Sequence, residues 1–338
     1  MAGPLSGLRI IELAGIGPVP FAGMMLADHG AEVIRIERPG VEPTPGDPLL
    51  RSRVSATLDL KSADGVAGLR SLCKSADGLI EGFRPEVMER LGMGPDVLLG
   101  DNPKLVYGRM TGWGQDGPLA QKAGHDINFI ALSGTLGALG RAGDKPTPPI
   151  NLVGDFGGGG MLLAFGMVSA LLAVKSGAAG QIVDCAMTDG SALLMAMMWG
   201  FRAQGRWTDE RGTNVIDTGA PFYDTYETAD GLHVAVGAIE PFFYAEFRRV
   251  LGISDDPRFN AQFDTAQWPS QKVELARLFK AKTRDEWVAA CAQAEACVTP
   301  VLSMAEALED PHNVARQTFV TINEVPQPAP APRFKTLK

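Results

Sequence analysis

The chain has 338 residues, of which 45% are hydrophobic and 21% charged, with 40 glycines, 24 prolines and a formal net charge of -8. That length calls for about two domains, and the composition is that of a turn-rich α/β globular protein, not a disordered or fibrous one. The acidic balance excludes a general nucleic-acid binder, since neutralising phosphates takes a basic face; any polyanionic ligand must be met by local Arg and Lys.

In chain order, Leu8–Leu13 is a short apolar run, a glycine-proline turn follows, then a helical pattern through Met24, Met25 and Leu26, and Glu32–Ile36 alternates as a strand. Further strand candidates at Thr57–Leu60, Gly78–Phe83 and Leu105–Met110 alternate with helical stretches over Val66–Ser75 and Pro85–Leu91. Such alternation predicts a largely parallel sheet with helices on both faces. After Trp113 the rhythm changes to expected helices over His125–Leu139, Met161–Lys175 and Met187–Phe201, with one strand, Gln181–Cys185, between the last two. From about Tyr223 a second unit begins, with a strand over Leu232–Gly237 and amphipathic helices over Phe242–Leu251, Lys272–Lys280 and Asp285–Ala292. The Pro-rich segment Pro326–Pro332 reads as an extended strap on a surface.

Cys73, Cys185, Cys291 and Cys297 lack C-x-x-C spacing and read as buried thiols of a reducing compartment, so a cytoplasmic location is expected. The N-terminal residues have no basic segment leading into an apolar one, so no secretory signal is expected, and the terminal Lys-Thr-Leu-Lys spells no sorting signal. The one long uncharged stretch, Phe156–Val174, opens with four glycines and falls short of the ~20 apolar residues of a membrane span, so a buried helix is expected instead.

The turn Gly15-Ile-Gly17-Pro-Val-Pro20, with Glu37 some way downstream, invites a dinucleotide-binding reading. Pro18 and Pro20 delete N–H donors where a pyrophosphate would need them, and the third glycine is absent, so the reading fails. Arg38, Lys61 and Arg84 follow strand ends, and Arg90 sits on the next helix. In a doubly wound sheet those ends converge on one crevice, the makings of a polyphosphate site, although spacing alone slightly favours ordinary solvated charges. Gly124-His125-Asp126 and Gly154-Asp155-Phe156 each open a helix, where free N–H groups attract negative charge, and Asp155 taken alone reads as an N-cap. Together an imidazole and a carboxylate so placed are what a two-base proton transfer requires. Glu240 before Pro241 complements a helix dipole whatever else it does, and Met187, Met195, Met197 and Met198 read as core, with a plastic surface for a greasy acyl chain as the alternative.

The stretches Pro4-Leu-Ser-Gly-Leu-Arg-Ile-Ile-Glu-Leu-Ala, Val33-Ile-Arg-Ile-Glu-Arg-Pro, Leu58-Asp-Leu-Lys, Glu81-Gly-Phe-Arg-Pro, Met110-Thr-Gly-Trp-Gly-Gln, Gly124-His-Asp-Ile-Asn, Asn151-Leu-Val-Gly-Asp-Phe-Gly-Gly-Gly and Gly237-Ala-Ile-Glu-Pro together resemble the family III CoA-transferase superfamily, and within it the α-methylacyl-CoA racemases. The resemblance runs nearly the whole chain and implies an α/β fold with a large Rossmann-like CoA-binding domain and a smaller α+β domain, in an interlocked homodimer. The division it suggests is 1–188 for the large domain, 189–224 for a linker helix region, 225–310 for the small domain and 311–338 for a return segment.

Carried over residue by residue, Arg38 and the segment Leu58, Asp59, Leu60 and Lys61 would hold the adenosine and its phosphates, with Gly82, Phe83, Arg84 and Arg90 completing a CoA groove that Gly124 and Phe129 adjoin. His125 and Asp155 would be the two bases, Asp126 would help order the site, and Glu240 from the other subunit would orient His125. The substrate implied is a 2-methylacyl-CoA, with no metal and no cofactor beyond the CoA it carries. In the transferases the acid matching Asp155 forms an acyl anhydride and the histidine is missing, so having both residues favours the racemases over a transferase or a non-catalytic CoA-binding dimer. Phe129 departs from an expected tyrosine, and the C-terminus is somewhat short.

Overall fold

A computed structural model describes residues 3–335; the residues from 336 on, with the terminal Lys-Thr-Leu-Lys reading, lie outside the described residues. Six strands, β1 (Arg9–Leu13), β2 (Glu32–Glu37), β3 (Val54–Thr57), β4 (Gly78–Glu81), β5 (Val106–Thr111) and β6 (Ile182–Ala186), form one all-parallel sheet in the order β3-β2-β1-β4-β5-β6. The order reverses between β1 and β4, and a crevice opens beyond the carboxyl ends of strands at such a point. Successive side chains leave a strand on opposite faces. Ile10, Ile80 and Val106 therefore pack on one face with α1 (Pro18–Asp28), while Ile11, Leu79 and Tyr107 pack on the other with α2 (Ala63–Lys74), α3 (Val87–Arg90) and α4 (Pro95–Asp101).

Several elements differ from the sequence reading for local reasons. The third strand is Val54–Thr57 and not Thr57–Leu60: Leu58 N–H still bonds Glu37 O, but the Asp59 carboxylate then takes Lys61 N–H and Ser62 caps α2, which turns the chain away. The helix expected over His125–Leu139 divides into α5 (Asp126–Leu132) and α6 (Thr135–Ala138) at Gly134, whose φ of 86° no helix accommodates. The helix expected from Met161 begins earlier, with wide π-type turns over Leu152–Met161 that run into α7 (Leu162–Lys175). The joined stretch, Leu152–Lys175, is longer than the uncharged Phe156–Val174 and, by length and composition only, is long and apolar enough to cross a membrane. One face of it is core, through Leu163, Met167 and Leu171. Met187–Phe201 divides at Met195 into α8 (Met187–Leu194) and α9 (Ala196–Ala203).

The chain forms two compact units, one running up to Thr135 with Pro149–Ala196 and the stretch from Val314, the other comprising Leu136–Pro148 and Met197–Asn313. The second contains an antiparallel sheet of β7 (Tyr223–Glu227), β8 (His233–Gly237) and β9 (Val298–Pro300) with α10 (Pro241–Leu251), α11 (Trp268–Phe279) and α12 (Arg284–Cys291) around Phe222, Phe247, Phe259 and Phe279. The buried Asp224 carboxylate takes Arg141 Nη1 and Lys272 Nζ, each at 2.7 Å, and so ties the 136–148 excursion into this unit.

After α13 (Met304–Glu309) and α14 (Pro311–Arg316) comes a hairpin of β10 (Phe319–Ile322) and β11 (Val325–Pro328), so the start of the extended strap expected over Pro326–Pro332 is a paired strand. Asn323 and Glu324, both at positive φ, make the two-residue turn. Counting out from it, Pro326 and Pro328 face Thr321 and Phe319 at the positions where the ladder asks for no N–H, so the prolines cost the hairpin nothing.

Candidate active site

The start of α1, the first turn of the π segment and the N-terminus of α5 wall one cavity of about 420 Å³, and both predicted bases line it. His125 is the exposed N-cap of α5; its N–H donates to Asn128 Oδ1 at 3.0 Å, which closes the cap from below and leaves the imidazole free. Asp126, the next residue, is buried, and its Oδ2 accepts the Asp155 N–H at 2.7 Å. Gly154 permits this approach, because a Cβ there would stand 2.5 Å from that oxygen.

Asp155 is not the N-cap that the sequence suggested. Asn151 holds that position, Asp155 lies in the first turn, and Asn151 Nδ2 donates to Asp155 Oδ2 at 3.1 Å. The wide winding is the physical cause: Phe156 N–H reaches back to Asn151 O at 3.3 Å, so one more N–H than usual is left without a helical partner, and Asp126 receives it. Burial pushes the Asp155 carboxyl above its usual range and the Asp126 charge adds to this, while the Asn151 amide and His125 pull it back.

A stability test follows from that balance. A carboxyl whose folded pKa exceeds its unfolded one destabilises the fold when ionised, fully above the folded pKa and not at all below the unfolded one. Asp155→Asn, which can still accept from Asn151, is therefore expected to raise the thermal midpoint slightly at neutral pH, with the gain shrinking as pH falls through the carboxylate range. Parallel melts of both proteins between acid and neutral pH check this, and a gain that grows toward acid would contradict it.

A second cavity of about 670 Å³ adjoins the first, with Ala14, Gly15, Ile16, Gly17 and Phe83 in the walls of both. Of the residues assigned to CoA, Arg38, Leu58, Asp59, Leu60 and Lys61 line the second cavity, and Gly82, Arg84, Gly124 and Phe129 line the first. Phe129 is buried edge-on to Trp113, ring centroids 4.8 Å apart. Arg90 lines neither: it is exposed on α3 and pairs with Glu86 at 3.5 Å. Glu240 belongs to the second unit, where it is the N-cap of α10 and its carbonyl accepts Tyr244 N–H at 2.9 Å.

Sequence reasoning gave no role to Asn151, Trp113, Lys122 or Glu81. Lys122 and Trp113 line the first cavity, and Trp113 Nε1 donates to Lys122 O at 3.2 Å. Glu81 Oε2 accepts Phe83 N–H at 2.7 Å and so sets the residue shared by the two cavities; burial pushes its carboxyl up to about 7 against the pull of that N–H and of Arg109. The available signal was an acid ending an otherwise apolar, buried strand.

The family model described as CoA-transferase family III matches residues 5–337. A mouse protein named alpha-methylacyl-CoA racemase is 48% identical over 97% of this chain and 86% of its own length, and a human protein of the same name is 44% identical over 96% and 86%. The crystal structure of a CAIB/BAIF family protein from Brucella suis superposes with a TM-score of 0.83 at 25% identity, covering 99% of this chain and 93% of that one. With a family model spanning almost every residue and such relatives on both sides of it, the chain belongs to CoA-transferase family III.

Proposed function

We propose that the protein is a racemase that interconverts (2R)- and (2S)-2-methylacyl-CoA thioesters by moving one proton off and back onto the carbon beside the thioester. The observation that carries this reading is the presence of an imidazole and a raised carboxylate, His125 and Asp155, on the walls of one cavity whose neighbour is lined by Arg38 and Lys61. In this reading Arg38, Lys61 and the Leu58–Leu60 segment take the adenosine and phosphates, while Gly82, Phe83, Arg84 and Gly124 guide the thioester toward the bases. CoA enters as part of the substrate, and no further cofactor takes part.

The α-proton of a thioester is too weakly acidic to leave unless the enolate oxygen is stabilised as charge forms. N–H groups at the start of α5 are suited to that, worth ~3–4 kcal/mol per well-aimed donor in comparable sites. His125 and Asp155 then exchange the roles of acid and base with the enantiomer bound. The working unit is a homodimer in which the partner subunit's Glu240 orients His125. An exposed apolar stripe on the π segment and α7, Met161, Phe165, Val168 and Leu172, supports a second copy of the chain. Four unpaired thiols support a cytoplasmic setting.

Each pure enantiomer incubated in heavy water is expected to converge on the same near-equal mixture with deuterium at C2, because the enolate is common to both. Turnover that requires an added free acid and brings no deuterium into C2 would instead mean acyl transfer through Asp155.

A further inference from the structure

Glu12, the penultimate residue of β1, is wholly buried, and its carboxylate is held by two guanidiniums, those of Arg35 and Arg53, whose side chains are themselves almost inaccessible. Arg35 also bonds Glu37 through Nε at 2.5 Å, so none of its arms is left for a ligand once Nη2 has reached Gly15 O at 3.3 Å. Arg53 Nη2 donates to Pro20 O at 2.6 Å. The two arginines thus grip the β1–α1 turn at both of its ends.

Backbone hydrogen bonds hold the turn only at its margins, Ala14 N–H to Ile36 O at 3.0 Å and Phe21 N–H to Gly17 O at 3.3 Å. Pro18 and Pro20 supply no N–H, and Gly17 between them and the strand sits at φ 68°, ψ -116°, outside the range of L side chains. Yet its placement bears on the site: residues 14–17 are in the walls of both cavities, and Gly17 lies against the Asp155 carboxylate so closely that a Cβ would be 2.9 Å from Oδ2. Stability is a weak reason for the buried charges, since apolar side chains of like volume in such a place commonly hold a fold as well or better. Ion pairs that also reach two backbone carbonyls fix a geometry that apolar packing would not.

We propose that Glu12, Arg35 and Arg53 are positioning residues that hold the Gly15–Pro20 turn against Asp155, and so set where that base stands relative to the substrate carbon. This rests on the two-base reading above. The device acts on one side of the reacting carbon only, because His125 stands on a different element, at the start of α5, where Asn128 holds its backbone N–H.

The test follows C2 deuteration of each pure enantiomer in heavy water, with Asp155→Asn used to identify the enantiomer that Asp155 serves. Arg53→Lys keeps the charge beside Glu12 but not the fork that also spans Pro20 O; Gly17→Ala disturbs the same contact with no buried charge left unpaired. In both, exchange of the Asp155-served enantiomer is expected to fall by about 100-fold, as for a base displaced by ~1 Å, while exchange of the other stays near wild type. Equal loss from both enantiomers, or no loss from either, overturns the proposal. Should the wild type exchange neither enantiomer, the racemase reading is what fails. The positioning role is then decided by amide exchange of the peptide covering 14–23, whose protection Arg53→Lys must lower selectively; unchanged protection overturns it.

Discussion

His125→Ala and Asp155→Asn are each expected to cut racemisation by about 10²–10⁴-fold, the range a positioned acid or base contributes. Inversion needs a proton taken from one face and another delivered to the opposite face, so losing either group stops the cycle. Half of the chemistry survives, however. Each variant retains the base for one enantiomer and is expected to exchange that α-proton with solvent without inverting the centre, so deuteration and inversion come apart. By resemblance to the racemases, His125→Ala is expected to keep exchange of the (2R) ester and Asp155→Asn that of the (2S) ester. A second signature comes from electrostatics: His125 pulls the Asp155 carboxyl down, so in His125→Ala the residual exchange should move to higher pH. Should His125→Ala racemise at close to the wild-type rate, Asp155 would be working alone and the two-base mechanism would be wrong.

How much of this site is legible in the sequence depends on what kind of signal each part emits. The sheet was legible because parallel strands buried on both faces are continuous apolar runs, as in β1 and β4. The third strand was misplaced because β3 is an exposed edge, Val-Ser-Ala-Thr, with no core-facing pattern to announce it. His125 and Asp155 announce only that each stands near a helix start; that they share a cavity came from resemblance to a family, since nothing in a spacing of thirty residues brings two side chains together. The π winding around Asp155 was invisible for a related reason. Its five glycines carry no periodic pattern, and what they respond to includes distant backbone, such as Gly190 against Gly158. Arg90 fits the linear pattern of basic residues, and in the fold it stands on the exposed face of α3 beside Glu86, one turn away. The network around Glu12 left a clear trace, an acid amid Ile and Leu in β1, but its partners lie on two other segments of the chain.

Replacing Phe165 or Leu172 by Asp is expected to stop the dimer from assembling and to leave folded monomers. The two residues are 71% and 67% exposed and belong to one stripe with Met161 and Val168, while Leu163, Met167 and Leu171 on the opposite face of the same helix are in the core. A charged substitution at a solvent-facing position usually changes stability little, so the fold should survive. In an interface with two-fold symmetry the substitution appears twice, and each copy forfeits roughly 1.5–3 kcal/mol of apolar burial besides the cost of desolvating a carboxylate with no partner. Together these come to roughly 3–6 kcal/mol before the carboxylates are counted, about two to four decades in the dimer's dissociation constant. Sedimentation velocity of wild type and variant decides the matter, and because Glu240 is assigned to the other subunit's site, the monomer should also lose racemisation while it keeps its melting transition. A wild type that sediments as a monomer removes the second copy from the proposal. One that floats with lipid vesicles, and ceases to do so in Phe165→Asp, would mean that the same stripe meets a membrane, the other surface that a 24-residue apolar helix can satisfy.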